Sequence, residues 1–207
     1  MNKRRLMLLA VTVFLSVTAS GCGYNKLQSG QQNVKANWSQ VENQLQRRSD
    51  LITNLIETAK LAGVQEQEVF GTIAQSNSQL LNAQKAAPQG EGGDKTPEQK
   101  QAIMDAANSF GGTIGRLLSL QQSWPVLQSN QNFLKAQDEL VGTENRVATA
   151  RGDYNKAVQD YNTMRGSFPT VIAAKLYGFK EEPYFKADPA ATAAPKINSE
   201  DYRKNTK

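Results

Sequence analysis

A strict period of seven governs the stretch from Gln131 to Phe168. Large side chains recur at Phe133, Leu140, Val147, Tyr154, Tyr161 and Phe168, and small or slim ones three places later at Ala136, Thr143, Ala150, Ala157 and Met164. Proline is absent from the run. A sustained heptad of this kind predicts one long helix whose narrow apolar stripe lies against other helices.

A chain of 207 residues has room for one domain with a sizeable core. It is 39% apolar but only 7% aromatic, and rich in Ala, Gln, Asn and Leu, which suits long helices better than a β-sandwich. The formal charge of +5 includes Lys3, Arg4 and Arg5; without them 21 basic side chains face 19 acidic ones, a net of +2. No basic stripe with interleaved aromatics follows, so nucleic acid is not an expected partner.

The chain has one cysteine and no histidine. That excludes internal disulfides, the usual zinc ligand sets, Cys/His and Ser/His nucleophile pairs, and the Glu-x-x-His motif of di-iron bundles. No cofactor is expected. Carboxylate chemistry alone stays open, but Glu66 and Glu68, two places apart, do not share a helix face and read as a solvated helix start.

Met1 to Cys22 has the layout of an export signal: a basic start, an apolar core from Leu6 to Val17, then small residues. The 12-residue core is too short to cross about 30 Å of hydrocarbon, whereas the uncharged run Leu6–Asn25 barely suffices. Ala19-Ser20-Gly21-Cys22 resembles a bacterial lipobox, with Ala19 where Leu is commonest. Cys22 is therefore the expected lipid attachment point. An uncleaved N-terminal membrane helix is the alternative, and ordinary secretion a third. A diacylglyceryl thioether plus an acylated α-amino group supplies the several chains that stable anchoring needs. Either anchor places the body at the extracytoplasmic face of the cell envelope: a lipid on Cys22, followed by Gly23, weakly favours the outer membrane in a Gram-negative host, and an uncleaved helix would make a single pass of the inner membrane. The expected divisions are 1–21 as signal peptide or membrane segment, 22–185 as a helical bundle and 186–207 as a disordered tail.

Helical periodicity resumes at Asn25. Leu27, Val34, Val41, Leu55 and Ala62 form one row, and Trp38, Leu45, Ile52 and Ala59 a parallel row four places on. The first row is broken at Arg48. A cation on an apolar stripe either snorkels to the edge with its stem packed or is paired. In an up-down-up-down bundle the first and last long helices run antiparallel; with Asn25 level with Phe168, Arg48 falls level with residue 145. Glu144, at the flank of the heptad seam, is the expected partner, with Arg151 one heptad further along that flank.

Between these helices, Gly63 ends the first and a second is expected from Gln65 to Ala86 with Val69, Ile73, Leu80 and Ala83 on one side. Residues 87–94 read as a loop. Thr96 is placed to cap a third helix, Pro97 suits its first position and Glu98 complements its dipole. Its face carries Ile103, Ala106, Phe110, Ile114, Leu117 and Leu118 and ends near Trp124-Pro125. Gly111-Gly112 reads as a close helix contact or bend, since no strand precedes it as a phosphate loop requires. Val171 to Phe179 is expected to cap one end. The fold class is all-α: an antiparallel bundle of four long helices with a short C-terminal capping helix.

Several blocks carry a resemblance. Trp38-Ser39-Gln40-Val41, Gln46 to Leu55, Glu139 to Ala148, Arg151-Gly152-Asp153-Tyr154-Asn155 and Asp160-Tyr161-Asn162 are similar to the signature blocks of the LemA family of bacterial proteins, over nearly the whole stretch from Tyr24 to Phe185. The resemblance implies an antiparallel bundle held outside the cytoplasm by an N-terminal membrane segment or lipid, without established catalysis or cofactor. It also implies envelope membrane proteins as partners, by association alone. The sequence departs from the family pattern at Thr53, where proline is usual, at Ser76-Asn77, where Ala-Arg is usual, and at Val126 and Gln128, where charges are usual.

The expected function is that of a non-enzymatic, membrane-tethered scaffold or interaction module. The alternative is a protein that binds a small ligand or lipid inside the bundle through a polar cluster of Arg48, Asn54, Glu144, Asn145, Arg151, Asn155 and Asn162. A carboxylate hydrolase is the weakest reading.

Overall fold

The computed structural model describes the backbone of residues 3–86, 88–90 and 94–186, and within these the side chains from Gly23 onward. Helix α1 (Lys3–Leu61) is followed by α2 (Gln67–Lys85), α3 (Pro97–Ser123), the single turn α4 (Pro125–Gln128), α5 (Gln131–Gly166) and α6 (Thr170–Leu176). No strand occurs among the described residues. The architecture is the all-α antiparallel bundle.

Helix α1 has 59 residues and α5 has 36. At 1.5 Å per residue they measure about 88 and 54 Å, and the two pack along the length of α5. Their contacts keep one antiparallel register. The ring of Tyr161 lies 3.3 Å from where a Cβ on Gly30 would stand, the rings of Trp38 and Tyr154 are 5.3 Å apart, and Arg48 reaches Glu144. Both apolar rows of α1 are buried as the periodicity requires: Leu27, Val34, Val41, Leu55, Trp38, Leu45, Ile52 and Ala59 all lie in the core, with Ala62 half-buried against it. The glycine at position 30 is what lets the Tyr161 ring approach α1 so closely.

The helices α2 and α3 form a second antiparallel pair that covers only the far part of the first. Gly63, at φ +83°, turns the chain out of α1, a conformation with little steric cost for glycine. Thr96 accepts a hydrogen bond from the Gln99 amide while the Gln99 side chain accepts one from the Thr96 amide, a complete capping box with Pro97 just inside. Asn130 caps α5 by accepting from the amides of Asn132 and Phe133. At the near end α6 packs on α1 and α5, and an extended segment of residues 179–186 runs along α5 and meets the start of α3 through Glu182 and Lys100.

One member of the heptad row is misplaced by the periodicity. Phe168 is 82% exposed. Helix α5 ends at Gly166 and the backbone of Ser167 is extended (φ −84°, ψ 148°), so a seven-residue interval no longer returns the side chain to the seam.

Candidate functional site

Arg48 occupies the middle of the bundle, 1% exposed, at the place on α1 where the apolar rows call for an aliphatic residue. Its Nη1 stands 3.5 Å from Glu144 Oε2 on α5, its Nη2 donates to the Ala107 carbonyl of α3 at 2.9 Å, and its guanidinium lies 5.0 Å from the centre of the Phe110 ring. Gly111 lies beside it: a Cβ there would stand 3.7 Å from Nη1, an ordinary van der Waals contact. Burial pulls the Arg48 pKa below its ordinary value, and the charge and hydrogen bond of Glu144 oppose the shift. Next to it, Ser49 donates to Asn77 Oδ1 at 2.6 Å and the Asn77 amide reaches Thr53 Oγ1 at 3.4 Å. Two departures from the family pattern, Thr53 and Asn77, thus touch one another. One polar seam therefore joins α1 to α2, α3 and α5.

The seven residues expected in a polar cluster do not form one. Arg48 and Glu144 meet. Asn54 and Asn145 are exposed: Asn54 lies off both buried rows of α1, and Asn145, one residue past Glu144, is turned about 100° around α5 toward solvent. Asn155 and Asn162 instead grip the extended segment. The amide of Phe185 donates to Asn155 Oδ1 at 2.8 Å and Asn155 Nδ2 donates back to the Phe185 carbonyl at 3.1 Å; Asn162 makes the same pair of bonds with Glu182 at 3.1 and 2.9 Å. Tyr154 and Tyr161 donate to the carbonyls of Pro183 and Lys180, and Arg165 to that of Phe179. Arg151 stacks over the Phe185 ring, 4.8 Å from its centre. Burial raises both tyrosines, with Glu182 adding to the rise: Tyr161 to about 12, and Tyr154 further still.

The segment is also pinned by a second buried charge pair. Lys100 on α3, 3% exposed, reaches Glu182, 7% exposed, at 2.7 Å, while Phe185 packs against Trp38 and Tyr154. Sequence reasoning missed Lys100 and Glu182. The signal for the lysine was present, since Lys100 stands one turn before Ile103 on the apolar face of α3. Glu182 belongs to a stretch without helical period and leaves no such trace.

Beside this pair lies an open polar groove of about 420 Å³, lined by Gln28, Lys35, Asp94, Lys95, Lys100 and Lys180 among others. Its cations are largely engaged: Lys35 with Asp94, Lys95 with the Gln84 carbonyl, Lys100 with Glu182. Glu66, one of the two carboxylates noted in the sequence, accepts from the Trp124 indole at 3.3 Å. Among the described residues no group of three or more His, Cys, Asp or Glu side chains is placed to hold a metal ion, and none of their helices is long and apolar enough to cross a membrane. The Cys22 side chain and residues 187–207 of the expected tail lie outside the described residues.

The model of the LemA family matches residues 37–198. The chain belongs to the LemA family. Its matched region takes in Arg48, Glu144 and the whole grip on the extended segment. Two relatives align over most of their length. Magnetosome protein MamQ 2 of Paramagnetospirillum magneticum is 27% identical over 197 residues, covering 89% of this chain and 72% of that protein. Magnetosome protein MamQ of Magnetospirillum gryphiswaldense is 26% identical over 199 residues, covering 89% and 73%. The family thus carries, in this member, a bundle whose buried charges tie helices together.

Proposed function

We propose that this LemA-family protein is a non-enzymatic interaction module tethered at the extracytoplasmic face of the cell envelope. One observation carries the reading: α1 runs unbroken through residue 22 into the core of the bundle, so an anchor at Cys22, or an uncleaved N-terminal helix in its place, joins the bundle without a flexible linker. Gly23, the residue after Cys22, packs at the level where α6 closes the bundle, so a lipid on Cys22 meets the bundle at that level; were residues 3–21 retained instead, they would add roughly 30 Å of helix beyond it. A tether joined this way holds the bundle at a fixed height and direction, as suits a scaffold.

The buried polar groups support the same reading. The two terminal nitrogens of Arg48 meet a carboxylate and a carbonyl, leaving its Nε and Glu144 Oε1 as the buried polar atoms of the pair without a hydrogen bond, and Asn155 and Asn162 are committed to backbone, which leaves little for an interior ligand to engage. Cys22 is the proposed lipid attachment point. Metabolic labelling with palmitate, with Cys22→Ser beside the wild type, tests it: the label is expected on the wild type alone. An unlabelled wild type that still floats with membranes replaces the lipid with an N-terminal membrane helix, and a wild type that stays in the soluble fraction removes the tether altogether.

A further inference from the structure

Among the described residues, several of the exposed large apolar side chains gather at one end of the bundle. Phe168 is 82% exposed, Ile172 59%, Leu176 71% and Tyr177 54%. The first three follow one another every fourth residue along the outer face of α6 and the turn before it. The inner face of α6 buries Thr170, Ala173 and Ala174, and a Cβ on Gly23 would stand 3.5 Å from that of Ala173. So the patch sits at the level of residue 23 of α1, at the pole from which the N-terminal stretch departs. The last residue of the apolar core, Val17, is only about 9 Å further along the helix axis.

Two aromatic contacts surround this level. Tyr24, itself 38% exposed, meets Tyr177 edge-on at 4.9 Å and Phe179 at 5.6 Å. Exposed Lys26 and Lys175 flank them. Aromatic rings with a polar edge and flanking lysines are what a membrane–water boundary favours, and a short helix with apolar residues outward and a cation beside them suits the plane of the headgroups. A cluster of large apolar side chains on a monomer's surface marks an interaction site.

We infer that the outer face of α6, with Phe168, Ile172 and Leu176, rests in the headgroup layer of the bilayer and fixes the bundle's tilt on its tether. The occupant is lipid, because the patch lies at the level of Gly23, directly beside the proposed anchor at Cys22, and carries basic residues toward an anionic surface. The inference rests on the tethered reading proposed above.

The test uses the full chain, reconstituted from detergent into vesicles of phosphatidylethanolamine, phosphatidylglycerol and a phosphatidylcholine brominated on its acyl chains. A tryptophan is added singly as Ile172→Trp, as Phe168→Trp, or as Leu61→Trp; Leu61 is 90% exposed at the other end of α1. The extra fluorescence at 172 and 168 is expected to fall about twofold relative to non-brominated vesicles, as for side chains within the headgroup/acyl boundary, and that at 61 not at all. The two patch reporters serve as checks on each other should one variant not fold. Flotation of the same samples separates the two claims. Protein that floats with no more quenching at 172 and 168 than at 61 overturns the inference and leaves the tether standing; protein that does not float overturns both. If a second copy covers the patch instead, both reporters stay unquenched and cross-linking within the vesicles yields a dimer, which also overturns the inference.

Discussion

Replacing Arg48 by methionine and Glu144 by glutamine, singly and together, probes the charge at the centre of the bundle, because the two partners are unequally buried. Arg48 has a side chain 2% exposed, Glu144 one 37% exposed. Breaking a fully buried pair costs roughly 3 to 5 kcal/mol, most of it the stranding of the remaining charge. Glu144→Gln strands the guanidinium in the core, where the Ala107 carbonyl and the Phe110 face remain as partners; about 2 kcal/mol is expected. Arg48→Met fills similar volume and leaves a carboxylate that can rehydrate, so its cost is expected at about 0 to 1 kcal/mol, the exposed partner being screened. The double variant should be no less stable than Glu144→Gln alone. Arg48→Ala adds a void and should cost about 3 kcal/mol. Urea denaturation followed by far-ultraviolet circular dichroism reads these values, with unchanged m-values as the check on two-state behaviour. An Arg48→Met variant as damaged as Glu144→Gln, or single-variant costs that add in the double, refutes the reasoning.

Further outcomes follow from the same contacts. Glu182→Ala strands Lys100 and should free residues 179–186, seen as faster amide hydrogen exchange there and a loss of roughly 3 kcal/mol, while Asn155→Ala removes two bonds to Phe185 and should cost about 1 to 2 kcal/mol with the same local signature. Tyr161 titrates near 12 in the folded chain against 10.0 for the free phenol; a folded pKa raised above the unfolded one gives stability that is complete below pH 10 and lost as pH rises toward 12. Alkaline melting should therefore start with the extended segment, and Tyr161→Phe should flatten that limb. Burial raises Glu42 against the pull of Lys95, so its ionised form is disfavoured by folding. Glu42→Gln should stabilise the protein at neutral pH and lose that advantage below pH 4.5, as thermal melts across that range will show. A methyl group on Gly152 would have no neighbour within 4 Å, and Gly152→Ala should raise stability by about 0.5 to 1 kcal/mol through helix propensity, whereas Gly63→Ala, at positive φ, should lower it; the same urea titrations read both.

The sequence revealed this fold where one physical rule acted alone. Periodicity gave α1, α5 and the face of α3 because each buries one continuous stripe, and Arg48 stood out because it breaks a regular row. Its level against Glu144 followed from antiparallel register, which needs no side-chain detail. The same rule failed at Phe168, where the helix stops before the next heptad position. Asn54, Asn145, Asn155 and Asn162 could not be sorted by residue type: an asparagine suits solvent as well as it suits gripping a backbone, and only placement separates the four. Glu182 lay beyond reach, since its burial depends on an extended segment whose path is set by partners on α3 and α5 far away in the chain.

In-cell photo-cross-linking along the exposed faces of α2 and α3, followed by mass spectrometry of the membrane fraction, addresses the proposed role most directly. An interaction module predicts discrete adducts with other envelope proteins, lost when the tether is removed. Adducts absent at every position in a membrane-bound wild type, or unchanged in the untethered form, would contradict it.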